Sequence, residues 1–469
     1  MNELLSLDIR QLSKMIKSKE VSPVELVEIL LDYVNKVDPQ LNSFISIDQE
    51  QIISDAYEKE REIKEGEYIG PLHGVPIGIK DNINTKDFKT TMASDIFKDY
   101  YPEEDAFVIR QLKAAGAIIF GKLNLHQFAY GPTGDRSNVG PVCNPLDISK
   151  MTGGSSSGSA AAVGANLCFG ALGTDTSGSV RIPASFCGVV GMKPTQGIIS
   201  NSGVFPLAKT LDHVGPLTRT IWDNAIMMNV ISGHDTTDKL SVAHDVKDFT
   251  KLIGKPILNK KIGIPQNFYN EGIDESIQKV YRTAIQTLEK NGVELIDIEL
   301  PNMDRILESQ RMILKTEAYS IHEKNLENYP DKWDDEVKER LLTGAESKGF
   351  EYITAIQDKE LSTKIFNEAM TYCDVIITLT MSIEPPDINE RNVPINKSDD
   401  SHIRTVITKF TGPTNLNGLP SLTVPFGYSK SGMPVGIQLI GRAFDEAILY
   451  QIGSVLEKES YKLNKSLDR

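Results

Sequence analysis

Cysteine is scarce in this 469-residue chain: there are four, Cys143, Cys168, Cys187 and Cys373. None are spaced as Cys-x-x-Cys, so neither a zinc site nor a redox pair is indicated. Scattered thiols in a long chain fit a reducing compartment. No metal-ligand cluster or cofactor motif is evident. Long apolar runs are missing too. The longest weakly polar stretch, 160–172, is rich in Gly and Ala and falls below transmembrane length. The N-terminus, MNELLSLDIRQLSKMIKSKE, has no apolar core of the signal-peptide type. Excess positive charge is also lacking. Fifty Lys and Arg against 64 Asp and Glu leave a net charge of −14, which repels phosphate backbones and disfavours nucleic-acid binding. The expectation is a cytoplasmic protein acting on a small molecule, without cofactor, membrane or nucleic acid, and with a second copy of itself as a candidate partner.

What is present is ordinary globular material, 40% hydrophobic and 24% charged. Ser22-Pro23-Val24-Glu25 has the form of a capping box with proline at the first helical position. Helical spacing predicts helices over 105–115 and 274–290, with Gly116 and Gly292 as their C-terminal caps. Apolar runs predict strands at 117–120, 293–300, 374–379, 422–426 and 434–440. Helices and strands interleave from end to end, which predicts one large α/β sandwich over 1–469. Within it we expect a helical segment at 1–60 and the chemistry-bearing turns at 65–220. A helical layer with a mobile loop at 385–400 should occupy 300–400, and strands and a helix should close the chain at 401–460.

The stretch TGGSSSGSAAAVG (152–164) has four readings. A phosphate loop needs a lysine after its second glycine, and none follows Gly158. Gly154-Ser155-Ser156-Ser157-Gly158 matches the G-x-S-x-G elbow of triad hydrolases, with His213 as the available histidine. That elbow requires an upstream strand, and NPLDISKMT is too polar to predict one. A Ser-x-x-Lys pair, Ser276 with Lys279, lies on an amphipathic helix and lacks its companion motifs. The fourth reading joins the stretch to GVPIGIKDN (74–82) and GTDTSGSVRIPA (173–184). Lys80 ends an apolar run. Alone it reads equally as a snorkelling lysine or as a buried amine, which burial would make neutral and basic.

Together these three motifs resemble the amidase signature family. Lys80, Ser155 and Ser179 fall 75 and 24 residues apart, in that family's order and spacing, and GKLN (121–124), SFCGVVGMKPT (185–195) and LDHVGP (211–216) are similar as well. The resemblance implies an α/β/α sandwich with a mixed central sheet. It implies a Ser–cis-Ser–Lys amidase with Ser179 as nucleophile, Ser155 as the cis-serine relay and Lys80 as base. The backbone N–H groups of Thr176, Ser177, Gly178 and Ser179 would form the oxyanion hole. Gly153 and Gly154 would permit the cis turn, and Asp175 and Arg181 would brace the second turn. The pocket is expected near Phe128, Gly131 and Thr133, the helix at 316–322 and the loop at 385–400.

The chain departs from the family in two places. Ser177 stands where glycine is usual. Thr408 stands twelve residues before Pro420 of Asn417-Gly418-Leu419-Pro420, where the glutamine-hydrolysing A subunit of the tRNA-dependent amidotransferase carries an aspartate for the substrate amine. The expectation is therefore a standalone amidase; the alternative is that glutamine-hydrolysing subunit. A binding or scaffold protein is disfavoured because all three triad positions are filled.

Overall fold

The computed structural model describes residues 3–245, 248–269, 272–396 and 399–467. Eleven strands form one mixed sheet: β1 Phe44–Ser46, β2 Pro76–Lys80, β3 Ile118–Leu123, β4 Gly170–Asp175, β5 Val190–Lys193, β6 His213–Thr218, β7 Lys261–Pro265, β8 Glu294–Ile298, β9 Val375–Leu379, β10 Ser421–Tyr428 and β11 Pro434–Ile440. Their order across the sheet is β1-β3-β2-β4-β6-β5-β10-β11-β9-β7-β8. β3, β2 and β4 run parallel, as do β9, β7 and β8. The strands between these two groups pair antiparallel. The result is the expected α/β fold around a mixed central sheet.

Strands β2, β3, β4, β6, β9 and β11 are buried at every residue. Their near-continuous apolar sequences suit strands covered on both faces. The edge strand β8 buries only Ile298, and its acidic residues face outward. Lys80 ends β2, and Asp175 ends the neighbouring parallel strand β4. Carboxyl ends of adjacent parallel strands are where open α/β sheets hold their ligands.

Local signals account for most elements. The helix expected over 105–115 spans Phe107–Ala114, with Gly116 beyond it at φ +80°. The charged region becomes three helices, Met303–Asn328, Asp335–Leu342 and Gly349–Ala369. The expected capping box at Ser22 forms only in part. The Ser22 hydroxyl accepts from Val24 and Glu25 N–H, but it donates to Glu60 on the next helix, and Glu25 does not return to it. Glu60 binds the Ser22 hydroxyl rather than its backbone N–H, so the reciprocal half of the box is not replaced.

Two stretches expected as loop carry strand. Cys143–Asn144 and Asp147–Met151 form a two-stranded ladder just before the serine-rich turn. It stands apart from the main sheet, so it is not the strand that a nucleophile elbow requires. The segment 385–400 includes a hairpin of Asn392–Asn396 with Asp399–His402, while residues 397 and 398 lie outside the described residues.

The helix Ser157–Gly164 explains its small residues. A side-chain carbon at Gly158 would lie 2.3 Å from Ser43 O and 2.5 Å from Asn124 N, both backbone atoms. One at Gly173 would meet Ser156 Oγ at 2.7 Å. The second Gly/Ser turn therefore approaches Ser156 closely because Gly173 lacks a side chain, and the helix approaches the Ser43 and Asn124 backbone because Gly158 does.

Candidate active site

Lys80 is fully buried, and its Nζ lies 2.7 Å from Ser155 Oγ and 2.7 Å from Thr174 Oγ1. Among the described residues, no carboxylate forms an ion pair with it. Burial holds its pKa down at about 7, against a weaker upward pull from Asp175 and Asp212. The amine is thus substantially neutral at neutral pH. Thr174 Oγ1 also accepts from Asn82 Nδ2 at 3.2 Å. With an N–H of Lys80 directed at Thr174, the amine's lone pair is left for the Ser155 hydroxyl.

The Gly154–Ser155 peptide is cis, and Gly153 has φ +72°. Gly154 N–H donates to Pro132 O at 2.7 Å, and His126 N–H to Ser155 O at 3.2 Å. Ser156 stitches the two turns together. Its hydroxyl donates to Thr174 O at 3.1 Å and accepts from Thr174 N–H at 3.2 Å. Its N–H donates to Ser179 O at 3.2 Å. Ser156 is therefore occupied as a hydrogen-bonding brace. Ser179 keeps 7% of its surface accessible, whereas Ser155 keeps none. The Ser179 hydroxyl makes no hydrogen bond to any described residue.

The second turn is built on a buried ion pair. Arg181 Nε and Nη2 donate to the two oxygens of Asp175 at 3.0 and 2.9 Å. Its remaining N–H groups reach Thr414 Oγ1, Gln438 Oε1 and Asn415 Oδ1, each at 2.7 Å. All five guanidinium donors are used, which is what makes a fully buried arginine tolerable. Arg181 in turn holds the Asp175 carboxyl well below the usual carboxylate range, against the opposing effect of burial.

The same carboxylate shapes the turn. Gly178 N–H donates to Asp175 Oδ1 at 2.8 Å and Val180 N–H to Oδ2 at 3.1 Å. This corrects the expected oxyanion hole. Gly178 N–H is spent on Asp175, while those of Thr176, Ser177 and Ser179 carry no hydrogen bond to any described residue. Ser177, unlike Gly178, does not have a positive φ, so its side chain imposes no backbone strain.

His213 is engaged elsewhere. Its Nδ1–H donates to Leu211 O at 2.7 Å, and Nε2 faces Lys193 Nζ at 3.3 Å. Ser276 bonds to Asp274 at a helix N-terminus, as a solvated helix end would. The serine-elbow and Ser-x-x-Lys readings both lose their partners.

A cavity of about 370 Å³ opens beside Ser177. Of the expected pocket residues, Phe128 is buried among Phe97, Phe205, His322 and Trp333. Gly131 packs against the His126 ring, and Thr133 donates to Asp135. None of these three lines the cavity; of that stretch only Tyr130 does. None of the expected stretch 316–322 lines it either; the same helix contributes Arg311 and Lys315 just before that stretch. Arg340, Arg404 and Thr408 complete that wall. Sequence reasoning missed all four cations. They come from segments far along the chain from the motifs, and nothing local marks them. Thr174 and Asn82 were also missed, although both stand inside the quoted motifs.

Among the described residues, no helix is long and apolar enough to cross a membrane, and no group of three or more His, Cys, Asp or Glu is placed to hold a metal ion.

Fold and site together define the class, an enzyme acting on amide C–N bonds, and comparison with known proteins agrees at the level of the family. Residues 25–449 match the Amidase family model, and the chain belongs to this amidase signature family. It is 36% identical to the A subunit of the glutamyl-tRNA(Gln) amidotransferase of Heliobacterium modesticaldum, over 96% of each chain. Among solved structures it is similar to a chain from a vestigial protein complex tied to the evolutionary origins of an s-triazine catabolic enzyme (TM-score 0.92, 27% identity, 97% and 98% covered). It is also similar to the native peptide amidase of Stenotrophomonas maltophilia (TM-score 0.84, 28% identity, 97% of each).

Proposed function

We propose that the chain hydrolyses a small carboxylic amide through a Ser179–Ser155–Lys80 relay and an acyl-enzyme. The observation that carries this is the buried Lys80 amine, without a carboxylate partner, 2.7 Å from the Ser155 hydroxyl of the first Gly/Ser turn. Ser155 gives its proton to Lys80 and takes that of Ser179, whose Oγ attacks the amide carbon. The oxyanion meets the open N–H groups of Thr176, Ser177 and Ser179. One such donor lowers the barrier by about 3–4 kcal/mol. The relay then protonates the leaving nitrogen, and water cleaves the Ser179 ester. Ser155 Oγ and Ser179 Oγ make no hydrogen bond with each other in this structure. Such contacts often tighten only with substrate.

Two settings are open to this chemistry. The names of the curated relatives support the glutamine-hydrolysing subunit, with ammonia passed to a partner, better than the standalone amidase. The observation on the other side is Thr408, which offers no charge to a substrate ammonium.

Fluorophosphonate labelling of the purified chain tests the chemistry. Wild type and Ser156→Ala should label and Ser179→Ala should not; labelling that survives loss of Ser179 refutes the assignment. Ammonia release from glutamine and from simple amides, with no partner present, separates the two settings.

A further inference from the structure

The cavity beside Ser177 has a one-sided charge. Arg311 and Lys315 enter it from Met303–Asn328, Arg340 from Asp335–Leu342 and Arg404 from Ile403–Ile407. Two carboxylates face these four cations. Glu336 is taken up by Arg391 at 2.7 Å and Arg136 at 3.2 Å, with Arg404 more distant at 3.7 Å. Glu339 stands exposed at the rim. Arg340 stacks on Tyr130 at 4.0 Å, donates to its carbonyl and also engages its hydroxyl. Arg311 and Lys315 make no hydrogen bond or ion pair with any described residue. Thr408 turns its hydroxyl back to Arg404 O at 2.8 Å.

Unpaired cations in a half-buried wall are costly, and this protein is strongly acidic overall. Burial first and the neighbouring Arg340 second press on the charge of Arg311, and they outweigh the opposite pull of Glu308 and Asp304 on the same helix. The arrangement becomes favourable when an anion arrives, because guanidinium–carboxylate pairs are strong and often bidentate. An ammonium in the same place would meet four like charges and find Glu339 alone.

We infer that this pocket selects amides whose far end is anionic and carries no ammonium, as in the half-amide of a short dicarboxylic acid. The small cavity volume suits a short acyl chain. The inference rests on the Ser179 amidase chemistry and on the standalone setting, because a pocket that rejects an ammonium disfavours glutamine. The carbonyl lies at Ser179, the carboxylate at Arg311, Lys315 and Arg404, and the chain between them along Tyr130 and Leu314.

The test is kcat/KM for ammonia release by the full chain from four amides: glutaramate, glutamine, pentanamide and 5-aminopentanamide. Glutaramate should exceed the neutral and the cationic amide by roughly 100-fold and glutamine by roughly 10-fold, the scale of one or two charge-assisted hydrogen bonds. Arg311→Gln and Lys315→Gln should each shrink the glutaramate-to-pentanamide ratio by roughly 10-fold, chiefly through KM. Fluorophosphonate labelling reports the triad separately. Labelled Ser179 with no preference for glutaramate, with glutamine preferred, or with a ratio that neither variant changes overturns this inference alone. Unlabelled Ser179 with no ammonia from any amide overturns the amidase reading and this inference with it.

Discussion

Replacing Lys80 with methionine should cost activity and add stability, and the size of both effects follows from one buried amine. The Lys80 pKa falls from 10.5 to about 7 on burial. At about 1.4 kcal/mol per pH unit, keeping this lysine inside the fold costs about 5 kcal/mol below pH 7. The unfolded chain binds the proton more tightly than the folded one, so stability rises with pH between about 7 and 10.5, and the penalty is gone at the upper end. Methionine removes the penalty, but it leaves Ser155 Oγ and Thr174 Oγ1 without this partner, at about 1–3 kcal/mol. The net gain at pH 7 should be on the order of 2 kcal/mol, vanishing or reversing by pH 10. Activity moves the other way. Loss of a general base lowers kcat by roughly 10²–10⁴. In the wild type, kcat/KM should rise through an acid limb near pH 7, with about one-tenth of its plateau left at pH 6. Urea midpoints at several pH values and an ammonia assay read both quantities. A Lys80→Met protein that is several kcal/mol less stable at pH 7, or a wild-type acid limb at pH 5 or 9, refutes the argument that burial neutralises this lysine.

Arg181→Met leaves Asp175 buried without its counter-charge and should cost roughly 3–5 kcal/mol in denaturant unfolding; a loss under about 1 kcal/mol would show that the ion pair does not hold the turn. Fluorophosphonate labelling of that variant should also fall, because the same carboxylate positions Gly178 and Val180. Ser177→Gly removes the side chain at the cavity entrance. It should raise relative kcat/KM for amides one methylene longer by several-fold, and an unchanged preference would place the size limit elsewhere.

How much of the site is visible in one dimension depends on how locally each part is held. Thr176, Ser177, Gly178 and Ser179 are adjacent, so their turn and its open N–H groups are legible from a short motif. The commitment of Gly178 N–H to Asp175 is not, because it depends on how the chain folds back within five residues. Gly173 and Gly158 announce a close approach, but only the packing shows that Ser156 and the Ser43 backbone are what they admit. Phe128, Gly131 and Thr133 are the expected pocket residues, yet their contacts go to Phe97, Phe205, Trp333, His126 and Asp135, and the cavity is lined by others.

The α/β class and most strand and helix positions follow from the sequence by itself, because periodicity and caps are local properties; Lys80, Ser155 and Ser179 stand out as the candidate trio through the resemblance of three short motifs to the amidase signature family. Only the tertiary structure could decide that Lys80 is buried beside Ser155 without a carboxylate, and so neutral enough to act as a base. It alone brings Arg311, Lys315, Arg340 and Arg404 to one cavity. Burial and charge balance are properties of neighbours in space, and these neighbours are scattered along the chain.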